Sequence, residues 1–121
     1  MTRLIAYQKS IDLLKTCSSE AGFLASAQPI SNYKRVWTRD GVICGLAALA
    51  SGEANLIATF KKTLETLAAF QHSIGTIPSN VQFNNDGAEV SYGGLAGRVD
   101  AVTWFIIGVC QYAYATNDEC F

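Results

Sequence analysis

The apolar positions of the chain fall into four stretches with helical spacing. From about Thr2 to Glu20, Leu4, Tyr7, Ile11 and Leu14 recur on one face, and Gly22 stands just past the end. A second helix is expected from near Asp40, where Thr38 and Asp40 are both suited to cap a run from Val42 to Ala50 that is apolar on every side. Between Asn55 and Gln71, Leu56, Phe60, Leu64 and Leu67 line one face, while Lys61, Lys62 and Glu65 supply a polar one. The fourth helix, from about Asp100 to Thr116, carries Val102, Trp104, Phe105, Ile106, Ile107, Val109, Tyr112 and Tyr114, which leaves no face for solvent.

The order amphipathic, buried, amphipathic, buried is that of two successive outer–inner hairpins of an α/α toroid. The expectation is therefore an all-α fold, with residues 1–121 forming the N-terminal fragment of one toroid domain whose ring four helices do not close. His72 to Val99 is long for a structureless connection, so it is expected to be functional or to hold short strands.

Composition sharpens this picture. A length of 121 residues suits one domain or part of one. The charged fraction of 16% is low beside the roughly 25% usual for soluble chains. So little polar surface implies an incomplete unit or a partner. A net charge of -1 without a basic cluster argues against nucleic-acid binding. The apolar run from Ala101 to Tyr114 is interrupted by Thr103 and Gln111 and is shorter than the ~20 residues that cross a bilayer, so no membrane span is expected. Arg3 and Lys9 interrupt the N-terminal residues where a secretion signal would be apolar, which points to the cytoplasm.

No cofactor is expected. Cys17, Cys44, Cys110 and Cys120 lack metal-ligand spacing and read as plain thiols, and His72 has no ligand-spaced neighbour. The stretch Gly93 to Gly97 precedes a helix but lacks the G-K-[ST] ending and the β-α-β setting of a phosphate cradle.

Asp40 and Asp100 stand at the expected N-termini of the two buried helices, which in parallel inner helices places them at the same end of the molecule. Their simplest role is capping, worth roughly 0.3–1 kcal/mol through the helix dipole. Their company suggests more. Tyr33, Trp37 and Arg39 lead into Asp40, while Tyr92 and Arg98 lead into Asp100. A pyranose has an apolar C–H face that packs on aromatic rings and a rim of hydroxyls that charged groups bind.

The segment Tyr33-Lys34-Arg35-Val36-Trp37-Thr38-Arg39-Asp40 resembles the Y-x-x-x-W-x-R-D block of glucoamylases and related six-hairpin toroid glycosidases. Gln71 through Gly75-Thr76-Ile77-Pro78-Ser79-Asn80 is similar to their Q-x-x-x-G-x-I-P stretch, which enters a substrate-side loop. Gly97-Arg98-Val99-Asp100-Ala101-Val102-Thr103-Trp104-Phe105 resembles the D-A-x-x-W-F block of glycogen-debranching amylo-α-1,6-glucosidases and the G-R-x-x-x-V-D block of neutral invertases. The blocks follow the family's order. The resemblance implies an inverting hydrolase of an α-glucosidic bond, with an oligo- or polysaccharide α-glucan as substrate. Asp100 would be the general acid; Arg39 and Asp40 would bind sugar hydroxyls; Tyr33 and Trp37 would wall the subsite; Tyr92 and Arg98 would stand beside it.

An inverting reaction also needs a carboxylate about 6.5–9.5 Å from the acid to activate water. Relatives supply a glutamate far downstream, so the remainder of the toroid is the expected partner and the chain alone is expected to be inactive. Asp86 and Glu89, in an Asn- and Gly-rich stretch, are weak substitutes. A helix N-terminus favours the ionised carboxylate whereas a general acid must hold its proton, so desolvation by Trp104 or repulsion from Asp40 has to prevail. A sucrose-cleaving neutral invertase is the enzymatic alternative, and a non-catalytic carbohydrate-binding fragment the alternative of another kind.

Overall fold

The computed structural model describes residues 2–94 and 98–120. Met1, Phe121 and Leu95, Ala96 and Gly97 of the glycine-rich stretch lie outside the described residues. The described residues form four helices, α1 (Thr2–Thr16), α2 (Thr38–Ser51), α3 (Ala54–Ala69) and α4 (Val99–Thr116). Five strands accompany them: β1 (Ser18–Ser19), β2 (Gly22–Phe23), β3 (Val36–Trp37), β4 (Asn80–Asn84) and β5 (Gly87–Ser91).

The expected all-α toroid fragment is thus overturned by a mixed α/β domain with two antiparallel sheets. The cause lies in the connections. The long segment after α3 folds on itself as the β4–β5 hairpin, with Val81 opposite Val90 and Asn84 opposite Gly87. The two-residue turn is Asn85-Asp86: Asn84 Oδ1 accepts the Asp86 N–H at 3.0 Å, and Gly87, the first residue of β5, adopts φ 131°. The strand β3 then adds to its edge, Val36 facing Val81 and Trp37 facing Asn80. The β1–β2 pair ends α1 earlier than its apolar spacing suggests, at Thr16 and not Glu20.

Burial also differs from expectation. The best-covered helix is α3, with Leu56, Thr59, Phe60, Thr63, Leu64 and Leu67 all buried. α2 and α4, expected to be enclosed, each bury one side only: Ile43 is 48% exposed, Ile106 56% and Tyr114 89%. α1 buries only Ile11 and leaves Leu4, Ile5, Tyr7 and Leu13 exposed. No helix among the described residues is long and apolar enough to cross a membrane.

Small residues bring α2 and α3 together. Gly41, Gly45 and Ala48 share a face of α2, and the Phe60 ring occupies the space where a Cβ on Gly45 would stand. The resulting core joins Val42, Ala48, Leu56, Phe60 and Leu64 to Phe23 and Tyr112, whose ring meets Phe60 edge-on at 5.9 Å. A second cluster, Val36, Leu67, Ile77 and Val81, fills the space between the three-stranded sheet and α3. There Thr63 Oγ1 accepts the Phe23 N–H at 2.9 Å and Thr66 Oγ1 donates to the Ala21 carbonyl at 2.7 Å, so α3 also holds the β1–β2 hairpin.

Candidate functional site

The N-termini of α2 and α4 meet at one end of the molecule, and a narrow cleft opens between them. Trp37, Thr38, Arg39, Asp40, Ser79, Arg98, Asp100 and Ala101 line it. Its enclosed space is about 20 Å³, close to the volume one water needs.

Local structure explains how each side chain reaches the cleft. β3 delivers Trp37 directly into α2: the Thr38 N–H donates to the Ser79 carbonyl at 3.0 Å, and the Thr38 hydroxyl donates to the carbonyl of Pro78. These bonds bind the start of α2 to the Ile77-Pro78-Ser79-Asn80 segment and bring Ser79 to the rim. The Trp37 indole N–H donates to the Asn32 carbonyl at 3.1 Å, and the ring lies 6.4 Å from that of Tyr33. Arg98 is held differently. Gly93, at φ 82°, lets the aliphatic stem of Arg98 lie in the space a Cβ would occupy.

Capping does not account for the two aspartates. α2 starts at Thr38 with Trp37 in the N-cap position, and α4 starts at Val99 with Arg98 there; neither N-cap makes a side-chain bond. Asp40 and Asp100 instead occupy the first turns, where the helix dipole favours negative charge. Across the cleft, Arg39 Nη1 stands 3.5 Å from Asp100 Oδ2. The Arg39 and Asp100 side chains are 57% and 46% exposed, so this pair adds little to stability. Its importance is positional.

Five of the seven residues expected from sequence line the cleft: Trp37, Arg39, Asp40, Arg98 and Asp100. Tyr33 is set back behind Trp37 and is 53% exposed. Tyr92 is elsewhere: its hydroxyl donates to the Phe70 carbonyl at 2.7 Å and its ring meets His72 at 5.5 Å, which makes it a fastener of the α3 C-terminus. Thr38 and Ser79 were not expected at the site. Their signal in the sequence was the Ile-Pro-Ser-Asn segment, whose pairing to the start of α2 only the fold reveals.

A scan of the chain against protein-family models finds no match, and a search of curated proteins finds none either.

The flank of the cleft is apolar and thiol-bearing. Cys44, one turn beyond Asp40, is raised to about 11, first by burial and then by the nearby Cys17 and Asp40. It is a protonated thiol at neutral pH. All four cysteines are free.

Proposed function

We propose that the cleft between α2 and α4 is the terminal-sugar subsite of a glycoside hydrolase that inverts an α-glucosidic bond, as in glycogen debranching. The observation that carries the reading is the meeting of Arg39 with Asp100 beside Asp40, Trp37 and Arg98 at one pair of helix N-termini. These residues come from two blocks far apart in the chain, each resembling the sugar-binding or acid-bearing block of that family.

In this reading the pyranose lies across the cleft mouth with its C–H face on Trp37. Arg39 and Asp40 take adjacent hydroxyls, the guanidinium donating and the carboxylate accepting. Asp100 hands a proton to the glycosidic oxygen, so that the departing sugar leaves as a neutral alcohol. Asp100 is half exposed and faces Arg39 across the cleft. Neither Asp86 nor Glu89 lines the cleft, and Glu89 lies 3.6 Å from Arg35 instead. Asp40 and Asp100 are the carboxylates among the described lining residues, so this reading takes the water-activating carboxylate from outside the cleft lining. Free thiols throughout suit a reducing compartment, so we place the activity in the cytoplasm.

The cleft's small interior favours a second reading, a carbohydrate-binding unit without catalysis. Calorimetric titration with isomaltose, paired with an assay of α-1,6-glucoside hydrolysis, separates the two. Both readings require binding that Asp40→Asn weakens. The hydrolase reading further requires turnover with inversion at the anomeric carbon that Asp100→Asn removes. Turnover that survives Asp100→Asn contradicts the acid assignment.

A further inference from the structure

A larger cavity of about 620 Å³ lies between the β1–β2 hairpin and the edge of the three-stranded sheet, and shares no lining residue with the cleft above. That volume is within the ~300–1,000 Å³ of small-molecule sites. Lys34 and Arg35 bring positive charge to it, Glu20 one negative charge, and Ser19 and Gln82 polar groups, while Phe83 presents an aromatic ring. Phe83 is 52% exposed yet fixed in place, its ring 5.9 Å from that of Phe70.

Arg35 marks the site. Its side chain is only 18% exposed, and its Nε is buried without a hydrogen-bond partner. A buried donor left unmade costs about 1–3 kcal/mol, and such a group in a native fold calls for an acceptor. The contacts it does make are weak ones through Nη1, to Asn80 at 3.3 Å and to Glu89 at 3.6 Å, against ~2.7–2.9 Å for a well-formed charge-assisted bond. The long Nη1 contacts leave the terminal guanidinium nitrogens with capacity for a further acceptor, whose arrival could also draw the buried Nε into a bond.

We propose that this cavity binds a monosaccharide bearing one anionic group, a phosphate or a carboxylate. The anion is held by Arg35 with Lys34, the ring packs on Phe83, and Glu20, Ser19 and Gln82 take the hydroxyls. Glu20 is the reason to expect a single anionic group on a polyhydroxyl body: it repels a polyanion and accepts from hydroxyls. The site is independent of the hydrolase reading.

Isothermal titration of the full chain with glucose 6-phosphate, glucuronate, glucose and inorganic phosphate tests this. At least one anionic sugar should bind roughly tenfold more tightly than glucose or inorganic phosphate, a difference of about 1.4 kcal/mol. Arg35→Gln should weaken that binding at least as much, and Lys34→Ala, at an exposed position that folding does not need, should weaken it several-fold. Glucose 6-phosphate alone binding would identify the anion as phosphate, glucuronate alone as carboxylate. Equal binding of inorganic phosphate, full binding by both variants, or no binding of either anionic sugar at millimolar concentration would overturn the proposal.

Discussion

Arg39 Nη1 reaches to 3.5 Å from Asp100 Oδ2, across 61 positions of sequence. The contact is too long and too exposed to hold the fold together, and its partners are the residues that the family resemblance singles out. An exposed pair of this kind adds little to stability, so its substitution can be read largely apart from folding.

Removing the two carboxylates should have different effects. Asp40→Asn loses an acceptor for a sugar hydroxyl and should weaken isomaltose binding roughly tenfold, whereas Asp100→Asn should leave binding within a factor of a few. Both should shift stability by less than about 1 kcal/mol, the worth of a first-turn charge on a helix dipole. Calorimetry and thermal melts read both quantities on the same samples.

At the α2–α3 contact, a methyl group on Gly45 has no space to enter, since the Phe60 ring already fills it. Gly45→Ala should destabilise the chain by about 1–3 kcal/mol despite alanine's better helix propensity. The double variant with Phe60→Leu should recover part of that loss. A melt of Gly45→Ala at or above the parent's temperature would show that the helices can separate without cost.

Thr63 joins α3 to the β1–β2 hairpin, accepting from the Phe23 N–H and donating to the Thr59 carbonyl at 3.0 Å. Thr63→Val keeps the volume but leaves the buried Phe23 N–H without an acceptor. A loss of about 1–3 kcal/mol is expected. Amide exchange at Phe23 should accelerate by more than at positions within α4, which is the check on locality.

Cys44 contributes to the alkaline behaviour. Its thiol is raised from 9.0 to about 11 in the folded chain, so between those values the unfolded chain loses its proton while the folded chain keeps it. Fewer protons on the unfolded state mean that stability falls as pH rises through this window, while below 9.0 the group has no effect. Denaturant midpoints at pH 8 and pH 10.5 should differ in that direction, and Cys44→Ala should reduce the difference. At pH 8 the exposed Cys110 and Cys120 should be alkylated well before Cys44.

Helical periodicity located all four helices to within a few residues because each carries apolar residues at spacings only a helix brings to one face. Periodicity does not say what a face meets. The apolar character of α2 and α4 read as complete burial, yet Ile43, Ile106 and Tyr114 are exposed, and the well-covered helix is the amphipathic α3. The β4–β5 hairpin was legible in principle: Asp86-Gly87 lies between alternating Val81, Phe83 and Ala88, Val90. The strand β3 was not, since two residues have no period and Val36-Trp37 becomes a strand only by pairing with β4. For the site, the aspartates, Arg39, Arg98 and Trp37 stood out in the sequence, and the fold brings them together. Tyr92 was misread because an aromatic beside a charged block serves equally well as a fastener, which its bond to Phe70 makes it.

The decisive observation is a backbone amide titration by NMR with isomaltose, following every assigned residue. Shifts concentrated at Trp37 to Asp40, Ser79 and Arg98 to Ala101, whose midpoint moves to roughly tenfold higher sugar in Asp40→Asn, are what a sugar subsite at the α2–α4 cleft predicts. Shifts confined to other surfaces, or none at tens of millimolar sugar, would contradict it.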